Sequence, residues 1–337
     1  MLSINFLVCL PAADQKMHIS IILSTWNNYR RLSITLSAIA ECIVPKNIQW
    51  QLVLINNNCT DQTSAIVNSF KHRLPITYLE EPRQGLSRAK NTGLKVATGR
   101  LLIFTDDDIY PSHDWISAYW NAYQDKPEGY YFGGPIDCEY ESGTPDDNFL
   151  AAASYSITGL DWGPINKTLS DSELFLSANW ACPAKYIESV GGYNENLGLD
   201  PTLGIRRVGE EFDLMDRLQH VGLRGWYLPR CRVTHFVPEA KCNAQHIGDN
   251  AQAQGAYSVQ SKSQSPFLYR RPELKPWCSN EAISIGGVPL PLCVKSMLLA
   301  LQWAFARARG KKGYRDYTAL RFCLGRILGY RERHRAN

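Results

Sequence analysis

The sequence predicts an α/β protein with a mostly parallel central sheet, helices on both faces, and a helical extension at its C-terminal end. Three observations carry this expectation. Over roughly the first hundred residues, short apolar runs alternate with segments of helical periodicity, joined by short polar loops. Polar clusters (Ser24-Thr25, Asn56-Asn57-Asn58, Asp106-Asp107-Asp108) fall at the carboxyl ends of the apolar runs, where open parallel sheets bind ligands. The chain then closes on Arg-rich segments of helical composition from Leu290 onward.

Taken in order, "HISIILST" reads as a strand, and "NYRRLSITLSAIAEC" as a helix with Leu32, Leu36 and Ile39 on one face. "QWQLVLIN" is the second strand, followed by the turn "NNNCTDQT" and the helix "SAIVNSFKHRL". "PITYLEE" is the third strand, "GLSRAKNTGLKVA" a helix ended by Gly99, and "RLLIFTDDD" the fourth strand. Beyond Ser112 the alternation loosens. "GYYFGGPIDCEY" reads as one strand, "TPDDNFLAAASYS" as a capped helix, and the aromatic stretch from Ile157 to Pro183 as loop. "PAKYIESVGGYNENLG" is a short helix closed by a glycine turn. "GEEFDLMDRLQHVG" is a helix with Phe212, Met215 and Leu218 on one face, followed by the strands "RGWYLP" and "RVTHFV". Ala240 to Tyr257 reads as a helix, "SVQSKSQSPF" as a connector, and the remainder as two helices. The expected division is a catalytic domain over 17–240 and a basic helical extension over 241–337.

The bulk numbers exclude some classes. The 337 residues, with 45% hydrophobic and 20% charged content, describe a globular chain with room for a large core. The net charge of +4 resides in the tail, where ten Lys and Arg between Arg307 and Arg335 face only Asp316 and Glu332. The body is near neutral, which gives no case for nucleic acid as a partner. The ten cysteines occur singly, with no C-x-x-C pair, as free thiols of a reducing cytosol do. "MLSINFLVCLPAADQK" lacks the positive start of a leader, and the folded domain is expected to begin near Met17.

"LLIFTDDD" drives an apolar strand into three carboxylates, whose repulsion calls for a neutralising partner. An acidic cluster at a strand end suits a divalent cation carrying a diphosphate, since hard oxygens hold Mg²⁺ or Mn²⁺ and leave positions open for phosphate. The plainer alternative is a solvated turn capping the next helix through Ser112 or Asp114. Glu210 and Glu211 open a helix, where the macrodipole alone favours them, or one of them takes a proton from an attacking hydroxyl. His235 in "RVTHFV" is an ordinary histidine unless a metal is present. Gly85, Arg88, Lys90 and Asn91 offer a helix start for phosphate, or a solvated basic face.

Together these segments resemble a family 2 glycosyltransferase of the GT-A fold, from about Ile19 to His235, roughly two-thirds of the chain. The resemblance implies that Thr25, Asn27, Asn56, Asn58 and Lys90 contact a nucleotide sugar. It further implies that Asp106 and Asp107 face the nucleotide, and that Asp108 and His235 hold Mn²⁺ or Mg²⁺. Glu211, with Glu210 left open, takes the base position in a motif that is usually Glu-Asp. Asn56 stands where the family has an aspartate, and Ser24 where it has a proline. Trp162, Asn179 and Trp180 read as acceptor contacts or, equally, as core residues.

The implied activity is metal-dependent, inverting transfer of a sugar to a hydroxyl of a glycan or lipid-linked acceptor in cell-envelope polysaccharide synthesis. The rivals are a catalytically degenerate partner subunit and a nucleotidyltransferase. The latter needs a Gly-rich loop after the first strand, where this chain has "TWNNYRR". "CVKSMLLALQWAFARARGKK", apolar and then basic, fits a helical pair packed on the body or a helix lying on a membrane at its cytoplasmic face.

Overall fold

The computed structural model describes residues 17–126, 128–170, 173–261, 265–278, 284–285 and 287–336; the N-terminal stretch weighed as a leader and the middle of the connector lie outside the described residues. The first seven elements follow the sequence reading: β1 (Ile19–Thr25), α1 (Tyr29–Ala40), β2 (Trp50–Asn56), α2 (Thr63–Phe70), β3 (Ile76–Glu80), α3 (Leu86–Leu94) and β4 (Leu101–Thr105). The middle of the chain adds β5 (Ile109–Pro111), α4 (Trp115–Asp125), β6 (Tyr130–Gly133), β7 (Ile136–Tyr140), α5 (Asp147–Ala152), α6 (Tyr155–Thr158), β8 (Lys167–Thr168) and β9 (Asn179–Pro183). Then come α7 (Ala184–Val190), α8 (Glu210–His220), β10 (Arg224–Tyr227), β11 (Val233–Val237), α9 (Ala244–Gln260), α10 (Pro266–Arg270), β12 (Ser284–Ile285), β13 (Val288–Pro289), α11 (Leu290–Ala308) and α12 (Tyr314–Ala336).

The main sheet has eight strands in the order β3-β2-β1-β4-β9-β6-β10-β8. The pairs among β3, β2, β1 and β4 are parallel, as is β6 with β10, while β9 and β8 run against their neighbours. Alternation along β1 sends Ile21 and Leu23 into one core with Leu32, Leu36 and Trp115, and Ile22 into the other with Ala89, Ile187 and Leu214. Both faces are therefore covered by helices, which is why β1, β2 and β4 read as unbroken apolar runs.

"GYYFGGPIDCEY" is two strands rather than one. β6 belongs to the main sheet, and β7 to a second sheet of order β5-β11-β7. The chain changes sheet at Gly134, where a Cβ would sit 2.0 Å from the Cys231 carbonyl oxygen, so no other residue fits that approach. This second sheet delivers His235 on β11 opposite Ile109 on β5, directly after the acidic triplet. Helix α3 stops at Leu94, short of Gly99, which instead packs against the β1 backbone.

The last helices have a core of their own, including Ala251 on α9, Phe267 on α10, Leu292 on α11 and Phe322 on α12. The nine described cysteines are all free thiols.

Candidate active site

Each carboxylate of the triplet faces a different partner. Asp107 accepts from Thr25 Oγ1 at 2.5 Å and from Asn28 Nδ2 at 2.8 Å. Thr35 Oγ1 donates to the Asp107 carbonyl and accepts from the Ile109 amide, which fixes the turn. Burial, joined by the Asp108 charge, pushes Asp107 up to about 7. Asp108 points the other way, 3.4 Å from His235 Nε2 and 3.7 Å from Lys241 Nζ. Burial opposes its charge, but these two cations hold it below the usual carboxylate range. In return, and against its own burial, His235 is drawn up to about 10 by Asp108. Asp106 points toward α3, 4.0 Å from Lys90 Nζ.

Asp108 and His235 fit a divalent ion in their spacing. Two ligands at right angles on an octahedral ion with bonds of 2.0–2.1 Å lie about 3 Å apart, close to the separation seen here. Among the described residues no three His, Cys, Asp or Glu side chains converge to complete such a site. The remaining positions would fall to phosphate oxygens and water, the usual company of Mg²⁺.

Glu210 and Glu211 open α8 after Gly209, whose φ of +98° turns the chain and whose missing Cβ makes room for the Tyr257 ring. Both are buried, at 5% and 8% exposure, in a first helical turn whose dipole favours them. Burial raises both, and for Glu211 the Glu210 charge adds to it and lifts it well above the usual range. Lys90 is the compensating charge for Glu210 as well as for Asp106. It is fully buried and donates to Ser177 Oγ.

Two neighbouring cavities meet here. The larger, about 840 Å³, is lined by Thr25, Asn27, Asn57, the whole triplet, His235 and Lys241. The smaller, about 160 Å³ and mostly apolar, is lined by Glu210, Glu211, Ser177, Phe212, Asn250 and Phe267. Asp106, Leu86, Leu199, Ser156 and Arg206 border both.

Several expected site residues stand elsewhere. Asn56 is turned inward, donating to Tyr78 Oη and accepting from the Cys59 amide, so its side chain is spent on the turn. Its neighbour Asn57 reaches the cavity wall and ties down Glu81, Arg83 and Gly85 ahead of α3. Asn58, at φ +60°, bonds Gln84, and Asn27, at φ +49°, accepts from the Thr60 amide while lining the larger cavity. Lys90 sits behind Asp106 as an internal counter-charge and lines neither cavity. Arg88 is paired with Asp200, and the Leu86 amide with the Leu199 carbonyl, so this helix start is already occupied.

Asn179 and Trp180 are core residues, not acceptor contacts. Asn179 is fully buried, accepting from Trp115 and Tyr119 and donating to the Pro135 and Cys231 carbonyls. Trp180 stacks on Phe104 at 4.5 Å. Trp162 donates to the Leu174 carbonyl and lines an adjoining cleft with Asp161, which shares Tyr155 and Arg270 with the smaller cavity.

The sequence reading missed Asn250 and Phe267, because nothing in their local pattern ties them to α8. Arg206, in the basic stretch "DPTLGIRRV", stands on the border between the cavities. Among the described residues, Arg206 Nε and Asn250 Oδ1 are buried without a hydrogen-bond partner, as is Ser24 Oγ on the larger cavity. Orphaned polar atoms of this kind cost about 1–3 kcal/mol each unless a water, ion or ligand supplies the missing bond.

Residues 20–169 match the family model described as Glycosyl transferase family 2, and the chain carries a family 2 glycosyltransferase domain on a GT-A fold. The matched range contains the acidic triplet but ends before Glu210 and His235. Hyaluronan synthase of Pasteurella multocida is 24% identical over 237 residues, 60% of this chain and 24% of that protein. Poly(ribitol-phosphate) beta-N-acetylglucosaminyltransferase TarS of Staphylococcus aureus is 30% identical over 96 residues, 28% of this chain and 17% of that protein. The chain thus matches a quarter or less of the length of these two relatives. Among solved structures, the mannosyltransferase PcManGT of Pyrobaculum calidifontis in complex with GDP-Man and Mn²⁺ superposes with a TM-score of 0.55 at 19% identity, covering 92% of this chain and 86% of its own. TarS 1-349 in complex with UDP-GlcNAc gives 0.55 at 15% identity, covering 90% of each chain.

Proposed function

We propose that the protein transfers a sugar, with inversion, from a nucleoside-diphosphate donor to a hydroxyl of a glycan or lipid-linked acceptor in cell-envelope polysaccharide synthesis. One observation carries this reading: Asp106 is wall to both cavities, so a diphosphate site and a buried carboxylate pair abut. The larger cavity takes the donor, with Thr25, Asn27, Asn57, Asp106 and Asp107 on the nucleotide side. Asp108 and His235 hold Mn²⁺ or Mg²⁺ there, and the ion, when bound, offsets the charge of the leaving diphosphate. PcManGT, of the same fold, was solved with GDP-Man and Mn²⁺, which supports the assignment.

The smaller cavity takes the acceptor. Glu211 accepts the proton of the attacking hydroxyl, and Lys90 partly offsets the burial of Glu210 and Asp106 beside it. Asn250 Oδ1 accepts from an acceptor hydroxyl and Arg206 Nε donates to an acceptor or phosphate oxygen, each gaining the partner it lacks. The reading locates the reaction at the cytoplasmic face of the membrane, and the free thiols support a reducing compartment.

The test is a thermal-shift panel of nucleoside diphosphates and nucleotide sugars, with and without Mn²⁺. The expected result is metal-dependent stabilisation by one nucleotide, lost in Asp108→Ala. No shift with any ligand sinks the donor assignment and favours a non-catalytic partner subunit.

A further inference from the structure

The outer face of α11 has no cover among the described residues. Leu290, Val294, Met297, Leu298, Leu301 and Phe305 recur at steps of three and four, which places them on one stripe. All are exposed, Met297 at 69%, Leu301 at 67% and Phe305 at 59%. The opposite stripe, Leu292, Ser296 and Leu299, is the one buried against the body. A continuous apolar stripe of this length on a folded surface marks a contact site.

The charges around it identify the partner. From Leu290 to Arg315 the sequence holds Lys295, Arg307, Arg309, Lys311, Lys312 and Arg315, and no Asp or Glu. Lys312 is tied to Asp146 at 2.9 Å, Arg315 to Glu273 at 3.3 Å, and Lys295 lies over the Trp277 ring. Arg307, Arg309 and Lys311 are exposed and have no ion pair among the described residues, although Arg309 lies over the Phe305 ring of the stripe, 4.0 Å from its centre. A second copy of this face brings no counter-charge for them, whereas a leaflet of anionic lipid supplies both phosphates and an apolar layer. None of the described helices is long and apolar enough to cross a membrane, so the contact lies in the plane of the surface.

We infer that α11 docks on an anionic bilayer, its apolar stripe at the headgroup–acyl boundary and Arg307, Arg309 and Lys311 on the lipid phosphates. This deepens the proposed function, resting on it only for the lipid-linked acceptor that such docking would bring within reach.

The test uses the full chain and two vesicle preparations, phosphatidylcholine alone and phosphatidylcholine mixed with phosphatidylglycerol, with no donor or acceptor present. The chain is expected to sediment with the mixed vesicles, to be released by high salt, and to stay in solution with phosphatidylcholine alone. The triple variant Met297→Ser, Leu301→Ser, Phe305→Ser keeps its melting temperature and loses vesicle binding. The variant Arg307→Gln, Arg309→Gln, Lys311→Gln binds about a hundredfold more weakly, since each cation near such a surface is worth a factor of about five. Both triple variants keep wild-type transfer to a water-soluble acceptor, so a failed glycosyltransferase assay and a failed vesicle assay are separate results. The inference is overturned if the wild type ignores mixed vesicles, or if the serine variant still binds them. It is equally overturned if the wild type is a dimer without vesicle affinity that the serine variant splits, for then a second copy covers the stripe.

Discussion

At the scale of single residues, Glu210 and Glu211 are two buried carboxylates that cannot both ionise freely. Around Glu211 stand Glu210, Asp106 and Lys90; the first two oppose its charge, and the Glu211 backbone amide and Lys90 favour it. A base must be ionised to act, and a raised Glu211 regains its proton at a higher pH than an ordinary glutamate. The acid limb of kcat/KM is therefore expected above the usual carboxylate range. Glu210→Gln removes the like charge, lowers Glu211, and moves that limb to lower pH, although kcat itself falls. Glu211→Gln is expected to lower kcat by a factor of about 10²–10⁴ at every pH, the range for loss of a general base. A pH profile of the Glu210→Gln variant with an unmoved acid limb would show that the pair does not set the base.

At the scale of elements, two asparagines separate a structural role from a binding one. Asn179 on β9 joins α4, the Pro135 turn and the Cys231 turn through four hydrogen bonds. Asn179→Ala leaves buried donors and acceptors unpaired, and is expected to cost about 3 kcal/mol or more in unfolding free energy. Asn250 on α9 keeps an unpaired oxygen in the smaller cavity. Asn250→Ala is thus expected to leave stability within about 0.5 kcal/mol, or to raise it, and to raise KM for the acceptor alone. Denaturant unfolding and acceptor titration of both variants check the contrast. A stable Asn179→Ala with a raised acceptor KM would return that residue to the acceptor side. The strands and helices through β4 were legible because their periodicity is local and each is buried on a sheet covered on both faces. The aromatic stretch around Asn179 was not, since an antiparallel strand inserted between β4 and β6 reads locally like a substrate loop. Asn56 was misread for a similar reason: whether an amide at a strand end faces out depends on Tyr78, a strand away.

For the whole molecule, the smaller cavity depends on helices that the expected division assigned to a separate extension. Asn250 and Gln254 on α9, and Phe267 and Arg270 on α10, close the chamber whose floor is Glu210 and Glu211. What holds α9 there is its contact with α12, and glycines set how close the two helices come. A Cβ on Gly255 would lie 2.1 Å from the Phe322 carbonyl oxygen, and one on Gly325 would lie 1.9 Å from that of Gln252. Neither backbone can yield without separating the helices, so the approach requires bare glycine on both sides. Glycines inside helices are ordinarily unfavourable by about 1 kcal/mol each, a cost offset here by the close packing they allow. Gly255 and Gly325 lie inside helices, and their purpose is visible only once α9 and α12 lie side by side. Gly325→Leu is therefore expected to push α12 off α9, lower the melting temperature by several degrees, and slow transfer at least tenfold by unseating the α9 and α10 wall. The larger cavity draws most of its walls from β1, α1, β11 and the loop after β4, and meets α9 only at His246 near its start, so metal-dependent stabilisation by the nucleotide should survive in the same variant. Thermal shift and acceptor kinetics measured on one preparation separate the two effects. Loss of nucleotide binding together with transfer would mean that the C-terminal helices support the donor site as well, and that the molecule has one indivisible active centre.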